Sequence, residues 1–175
     1  MKKLLIGLAV VIVGGTAAGF IFYHHSSPTP TTTVTKKATP SKPKTITTAE
    51  VASNANLRYS CIIYYAVKHV QIQRWQELAD FERGWQVEIY SENSQVKYLV
   101  WPDKNITTAA KQLQPNWFTI KGNQVTYDSF GVHTFQKDMT ATVNMAQIIS
   151  QIKTDHAAHK VRQMRPNLVV KDHRK

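Results

Sequence analysis

The residues best spaced to do chemistry together are Asp155, His156 and His159. Two histidines three apart share one face of a helix, and a carboxylate beside them can ligate a metal or orient a ring. Positions 145, 149, 152, 156 and 159 also continue one stripe, so the pair reads more simply as the polar end of a core face. A third ligand at motif spacing is absent, and a metal site needs three or four. No metal or other cofactor is expected.

Cys61 is the single cysteine, with His69 or His133 as its conceivable base. It sits inside the run Cys-Ile-Ile-Tyr-Tyr-Ala-Val, where a free thiol behaves as a small hydrophobe. Reactivity needs an exposed, electropositive setting instead. No serine has a nucleophile-elbow context, and there is no glycine-rich phosphate loop. The acids are scattered, with no pair placed for glycoside chemistry. No catalytic residue is assigned, and the chain reads as a non-enzyme.

Tyr90, Leu99 and Trp101 form the third candidate. Strand alternation puts Tyr90 opposite to Trp85 and Val87, and puts Leu99 and Trp101 opposite to Tyr98 and Val100. They either pack beneath a helix or form an exposed binding patch. The packing alternative is favoured, because helices commonly cover a sheet face.

The elements that must position these residues follow from periodicity. Thr47 and Glu50 have capping-box spacing, which starts a helix running to about Val70. Its centre is apolar on every face, so it is expected to be buried on more than one side. A second helix is expected over 72–83, closed by Gly84. The period then becomes two. Trp85, Val87 and Ile89 alternate with polar residues, 91–95 is a turn, and Val96, Tyr98 and Val100 alternate again before Pro102. A short helix over 105–113 precedes a second hairpin over 117–127, turned at Gly122 and Asn123. Residues 128–137 read as a loop or short edge strand. A last helix starts near 138–140, with Ala141, Met145, Ile148, Ile149 and Ile152 as its stripe, and fades by Met164. The expected fold class is α+β: a small antiparallel sheet of two hairpins packed with two N-terminal helices and one C-terminal helix, all preceded by an N-terminal transmembrane helix.

That last element is residues 4–23, which carry no charge. Twenty residues at about 1.5 Å rise span roughly 30 Å, the thickness of a bilayer core. Lys2 and Lys3 precede the run, and the next cation is Lys36, so the C-terminal bulk is expected outside. A cleaved signal peptide, with Thr16 and Ala18 at the cleavage spacing, is the alternative, and would give a secreted protein. Apolar character continuing through residues 20–23 favours an uncleaved, single-pass anchor. Residues 24–47, rich in Pro, Thr and Lys, form a linker that reaches up to roughly 70 Å. The domain is assigned to 48–165 and a basic tail to 166–175. One cysteine excludes an intramolecular disulfide, so the core alone must hold an exported, monomeric domain.

The net charge of the 175-residue chain is +11. Six lysines and no acid precede residue 48, residues 160–175 carry +5, and the part between is neutral. A nucleic-acid groove needs a basic face on the fold itself, so no nucleic-acid partner is expected. Basic flanks suit an anionic cell-wall polymer or lipid head groups, or act as solvated tails.

Tyr-Tyr-Ala-Val-Lys-His at 64–69, the strand at 85–90, the hairpin at 117–127 and the helix at 143–152 resemble small exported domains of lactobacilli and related lactic-acid bacteria. The likeness covers residues 50–155. Members of that family carry a signal or lipoprotein leader, a Ser/Thr/Lys-rich spacer and one such domain; this chain has no lipoprotein cysteine. The resemblance implies a Gram-positive cell surface and transfers no site residues. The functional expectation is a tethered extracellular binding or interaction module, with a small wall-active enzyme or inhibitor as the alternative.

Overall fold

The structure is a computed structural model and describes residues 45–112, 116–129 and 139–175. Thr47 opens the domain. Its hydroxyl accepts from the Glu50 amide, and the Glu50 carboxylate accepts from the Thr47 amide. Helix α1 is Thr48–Ser53. Asn54 then leaves helical geometry at φ −131°, and its side chain accepts from the Leu57 amide to cap α2, Ala55–His69. The single helix expected here is therefore two. An asparagine that bonds its own backbone competes with helix continuation, which is the physical reason.

Helix α2 is buried over most of its circumference, including Tyr59, Ile62, Ile63, Ala66 and Val67. It packs on the sheet through Tyr59 and Ile62 and on α4, Met145–Thr154, and α5, Ala158–Met164. The helix expected over 72–83 is one turn, α3, Gln73–Gln76. The chain leaves the helix at Glu77, and Asp80 then closes a separate turn by accepting from the amides of Glu82 and Arg83. Gly84 is not a helix cap. It has φ +71°, and a Cβ there would lie 2.0 Å from the Asn167 carbonyl oxygen.

The two expected hairpins are present. Strand β1, Trp85–Glu92, pairs antiparallel with β2, Gln95–Pro102, through a turn in which Asn93 and Ser94 both have positive φ. Strand β3, Asn116–Lys121, pairs with β4, Gln124–Asp128, around Gly122. These join with two further strands in one six-stranded mixed sheet, of order β5-β4-β3-β2-β1-β6. This corrects the expected small, purely antiparallel sheet.

Strand β5, Ala141–Asn144, takes residues assigned to the start of the last helix. Thr142 and Val143 are β-branched and suit a pleat. The Asn144–Gln147 capping box delays the helix to Met145. Strand β6, Leu168–Asp172, lies parallel to β1 and takes residues assigned to a tail. The expected C-terminal helix is also broken: α4 ends at Thr154 with Asp155 as its cap, His156 has φ +52°, and α5 follows.

The C-terminal cations therefore belong to the fold. The Arg162 guanidinium is buried and donates to Glu50 Oε1 at 2.9 Å and to the Thr45 carbonyl at 2.9 Å. Lys160 lies 4.0 Å over Phe81, and Arg174 pairs with Asp172. Among the described residues no helix is long and apolar enough to cross a membrane. The run expected to span, residues 4–23, lies outside them, as do His133 and the linker before residue 45.

Candidate functional site

Alternation along β1 sends Trp85, Val87 and Ile89 into the core against the helices. Trp85 donates to the Leu78 carbonyl, and Tyr127 on β4 donates to the Ile62 carbonyl. Gln86, Glu88 and Tyr90 therefore point to the other, outer face. Register places Trp101 opposite Gln86, Leu99 opposite Glu88 and Lys97 opposite Tyr90. Tyr90, Leu99 and Trp101 thus share the outer face, Tyr90 and Leu99 half-buried and Trp101 buried. Helices α2 and α3 pack on the inner one, and α4 and α5 join through α2.

Glu88 links the two ends of this patch. Its Oε1 accepts from Lys111 Nζ at 2.6 Å and Gln86 Nε2 at 3.0 Å. Its Oε2 accepts from Trp101 Nε1 at 3.1 Å and from the Tyr90 hydroxyl at 3.3 Å. The Glu88 side chain is only 8% exposed. Burial alone would raise its carboxyl, but the hydrogen bonds and charge of Lys111 and the Trp101 donor outweigh that and hold it below the ordinary value. A carboxylate so held accepts bonds and keeps its neighbours in place; it is poorly suited to giving up a proton.

A cation or imidazole covers each aromatic ring of this face. Lys97 Nζ lies 4.3 Å over the Trp117 ring and 3.5 Å from Glu92 Oε2. Lys111 Nζ is 5.4 Å from the Trp101 ring. His173 stacks on Tyr90 at 4.6 Å and 8°, with Nε2 3.7 Å from Glu88 Oε1. Its amide donates to the Ile89 carbonyl, which extends the β6 pairing by one residue.

Register then produces a continuous outer-face row that crosses all six strands. It runs from His173 beside Tyr90 to Lys97, Thr119, Thr126 and Thr142. The hydroxyls of Thr126 and Thr142 are 3.0 Å apart. Next to this row lies a second of Gln95, Lys121, Gln124 and Asn144. A groove of about 700 Å³ opens there, lined by Ser94, Gln95, Thr119, Lys121, Gln124 and Thr126 among others.

The other sequence candidates are not gathered in this way. Asp155 Oδ2 is bonded to His69 Nε2 at 2.7 Å and to the Tyr64 hydroxyl at 3.0 Å. Its Oδ1 accepts from Gln151 Nε2 at 2.9 Å. Burial would raise this carboxyl, but those bonds, His69 first, hold it low. His156 and His159 are both exposed. Among the described residues no three His, Cys, Asp or Glu side chains are grouped to hold a metal. Cys61 is fully buried, and burial pushes its thiol up to about 12.

Sequence reasoning missed Glu88, Lys111 and His173. The alternation that exposed Tyr90 also exposed Glu88, and that was the available signal. No family model matches this chain, and no curated protein or solved structure matches it.

Proposed function

We propose that this chain is a membrane-tethered extracellular domain whose task is non-enzymatic binding at the cell surface through the outer face of its sheet. The observation that carries the reading is the division of the sheet. One face is filled by helices. The other presents a row of His173, Tyr90, Lys97, Thr119, Thr126 and Thr142, half-buried to exposed, across six strands. A face of that size supports extended contact, and its central carboxylate serves to fix side chains. The tether rests on the uncharged run at 4–23 behind Lys2 and Lys3, and on the Pro-, Thr- and Lys-rich composition of the segment after it.

Protease added to intact cells should remove the domain; protection until the cells are lysed would exclude the outside placement. For the binding face, full-length protein in neutral detergent is mixed with purified cell-wall fragments. Lys97→Gln with Thr126→Val should weaken retention, while Lys153→Gln on the helix layer should not. Equal retention of all three proteins would remove the outer face from the reading.

A further inference from the structure

We propose that the outer face takes a linear, hydroxyl-rich polyanion, a polyol-phosphate chain of the cell envelope, laid across the strands along the row from His173 to Thr142. The inference rests on the outer-face reading above and names the ligand class for it. Three observations converge. The first is shape. Five strand spacings of about 4.8 Å give a continuous track of roughly 24 Å. A linear chain matches such a track better than a compact ligand does.

The second is charge. On this face Lys97, Lys111, Lys121 and Lys171 stand against Glu88, Glu92 and Asp128, a net +1, and Lys121 and Lys171 engage no carboxylate among the described residues. The carboxylates near them are already engaged. Glu88 is occupied by four donors, and Glu92 is paired with Lys97. The third is hydrogen-bonding chemistry. Thr119, Thr126, Thr142, Gln95 and Gln124 offer hydroxyls and amides beside the lysines, which suits a chain alternating hydroxyl and phosphate groups.

Competing polyanions fit less well. A single-stranded nucleic acid binds by stacking bases on open rings. Here Lys97 covers Trp117, His173 covers Tyr90 and Lys111 sits over Trp101. A neutral glycan can accept hydrogen bonds from the lysines but carries no charge to pair with them. An anionic lipid surface is the remaining competitor, and the vesicle arm of the test separates it.

The test uses the full chain in neutral detergent and poly(glycerol phosphate) of graded length. Affinity should rise with length and level off once the chain spans roughly 24 Å. Lys97→Gln and Lys121→Gln should each weaken binding about fivefold, the worth of one lysine near an anionic array. Raising salt from about 50 to 200 mM should cost roughly tenfold or more. Thr126→Val with Thr142→Val should weaken binding without changing that salt dependence. All variants are checked for an unchanged melting temperature.

Length-independent binding, or indifference to both lysine substitutions, would overturn the proposal. So would tighter binding of an oligo-thymidine of equal charge, or of vesicles rich in anionic lipid. If the outer-face variants still lose cell-wall fragments while poly(glycerol phosphate) does not bind, the ligand class is wrong and the binding face stands. If wall binding ignores those variants, the binding face itself is wrong.

Discussion

Replacing Lys111 by Met should reverse the pH dependence of stability that Glu88 contributes. In the native protein the Glu88 carboxyl lies below its ordinary value, although burial acts to raise it, because Lys111 and Trp101 favour the charged form. A carboxyl depressed on folding adds stability above its unfolded pKa, and that stability is lost as pH falls through the folded one. Lys111 Nζ supplies the shortest of the four bonds, 2.6 Å, and its only full charge. Without it the carboxylate keeps the donors from Gln86, Trp101 and Tyr90 but sits 8% exposed with no cation bonded to it. Burial then dominates and the carboxyl rises. Its contribution is then present below the unfolded pKa and lost as pH rises towards neutrality. A charged hydrogen bond is worth about 1.5–3 kcal/mol, and a buried ion pair broken on one side costs about 3–5 kcal/mol. Three remaining donors place the loss near the lower range, about 2–3 kcal/mol at pH 7. For a domain of this size that is a melting shift of roughly 10 °C. Thermal melts of the full chain from pH 3.5 to 8 measure it. Adding Glu88→Gln to Lys111→Met should recover at least half of the loss. A shift under about 2 °C, or an unchanged slope with pH, would refute the reasoning, since a loss of that size is what an exposed surface pair gives.

Gly84→Ala should destabilise by more than about 2 kcal/mol, because it combines positive φ with a Cβ 2.0 Å from the Asn167 oxygen; denaturant midpoints check it. His156→Gly should stabilise by up to about 1 kcal/mol, because φ +52° between α4 and α5 costs a side-chain-bearing residue and not glycine. Cys61 should resist a thiol reagent at pH 8 until the domain unfolds, because the buried thiol is pushed up to about 12. Rapid labelling of native protein would show the α2 core to be open.

The hairpins were legible because alternation, Pro102 and the Gly122–Asn123 turn are local signals, each complete within a few residues. The burial of α2 was legible from an apolar run with no polar face. What escaped depends on competition or distance. Asn54 looks like any polar helix residue until its side chain takes the Leu57 amide. Thr142 and Val143 sit among residues that also fit a helical stripe, and the Asn144 cap decides between the two readings. In the site, alternation exposed Tyr90 and Trp101 but gave no sign of what joins them. Glu88 reaches Lys111 across 23 residues, and His69 reaches Asp155 across 86. Such pairings come from the sheet register and helix packing and leave no short-range pattern to read.

Strand β6 shows how a missed element changes a functional argument. As a tail, residues 166–175 place their charge on a solvated flank. As a strand parallel to β1, they put Lys171 and His173 on the outer face, beside Glu88 and Tyr90. The Leu-Val-Val run that drives this pairing is too short to mark a strand by itself. Leu168 and Val170 face the core side, with Leu168 buried, and only the neighbouring β1 makes that burial possible. The apolar half of the strand is thus what carries its cationic half onto the face. The pairing of this short strand with β1 is what brings both Lys171 and His173 to the candidate site.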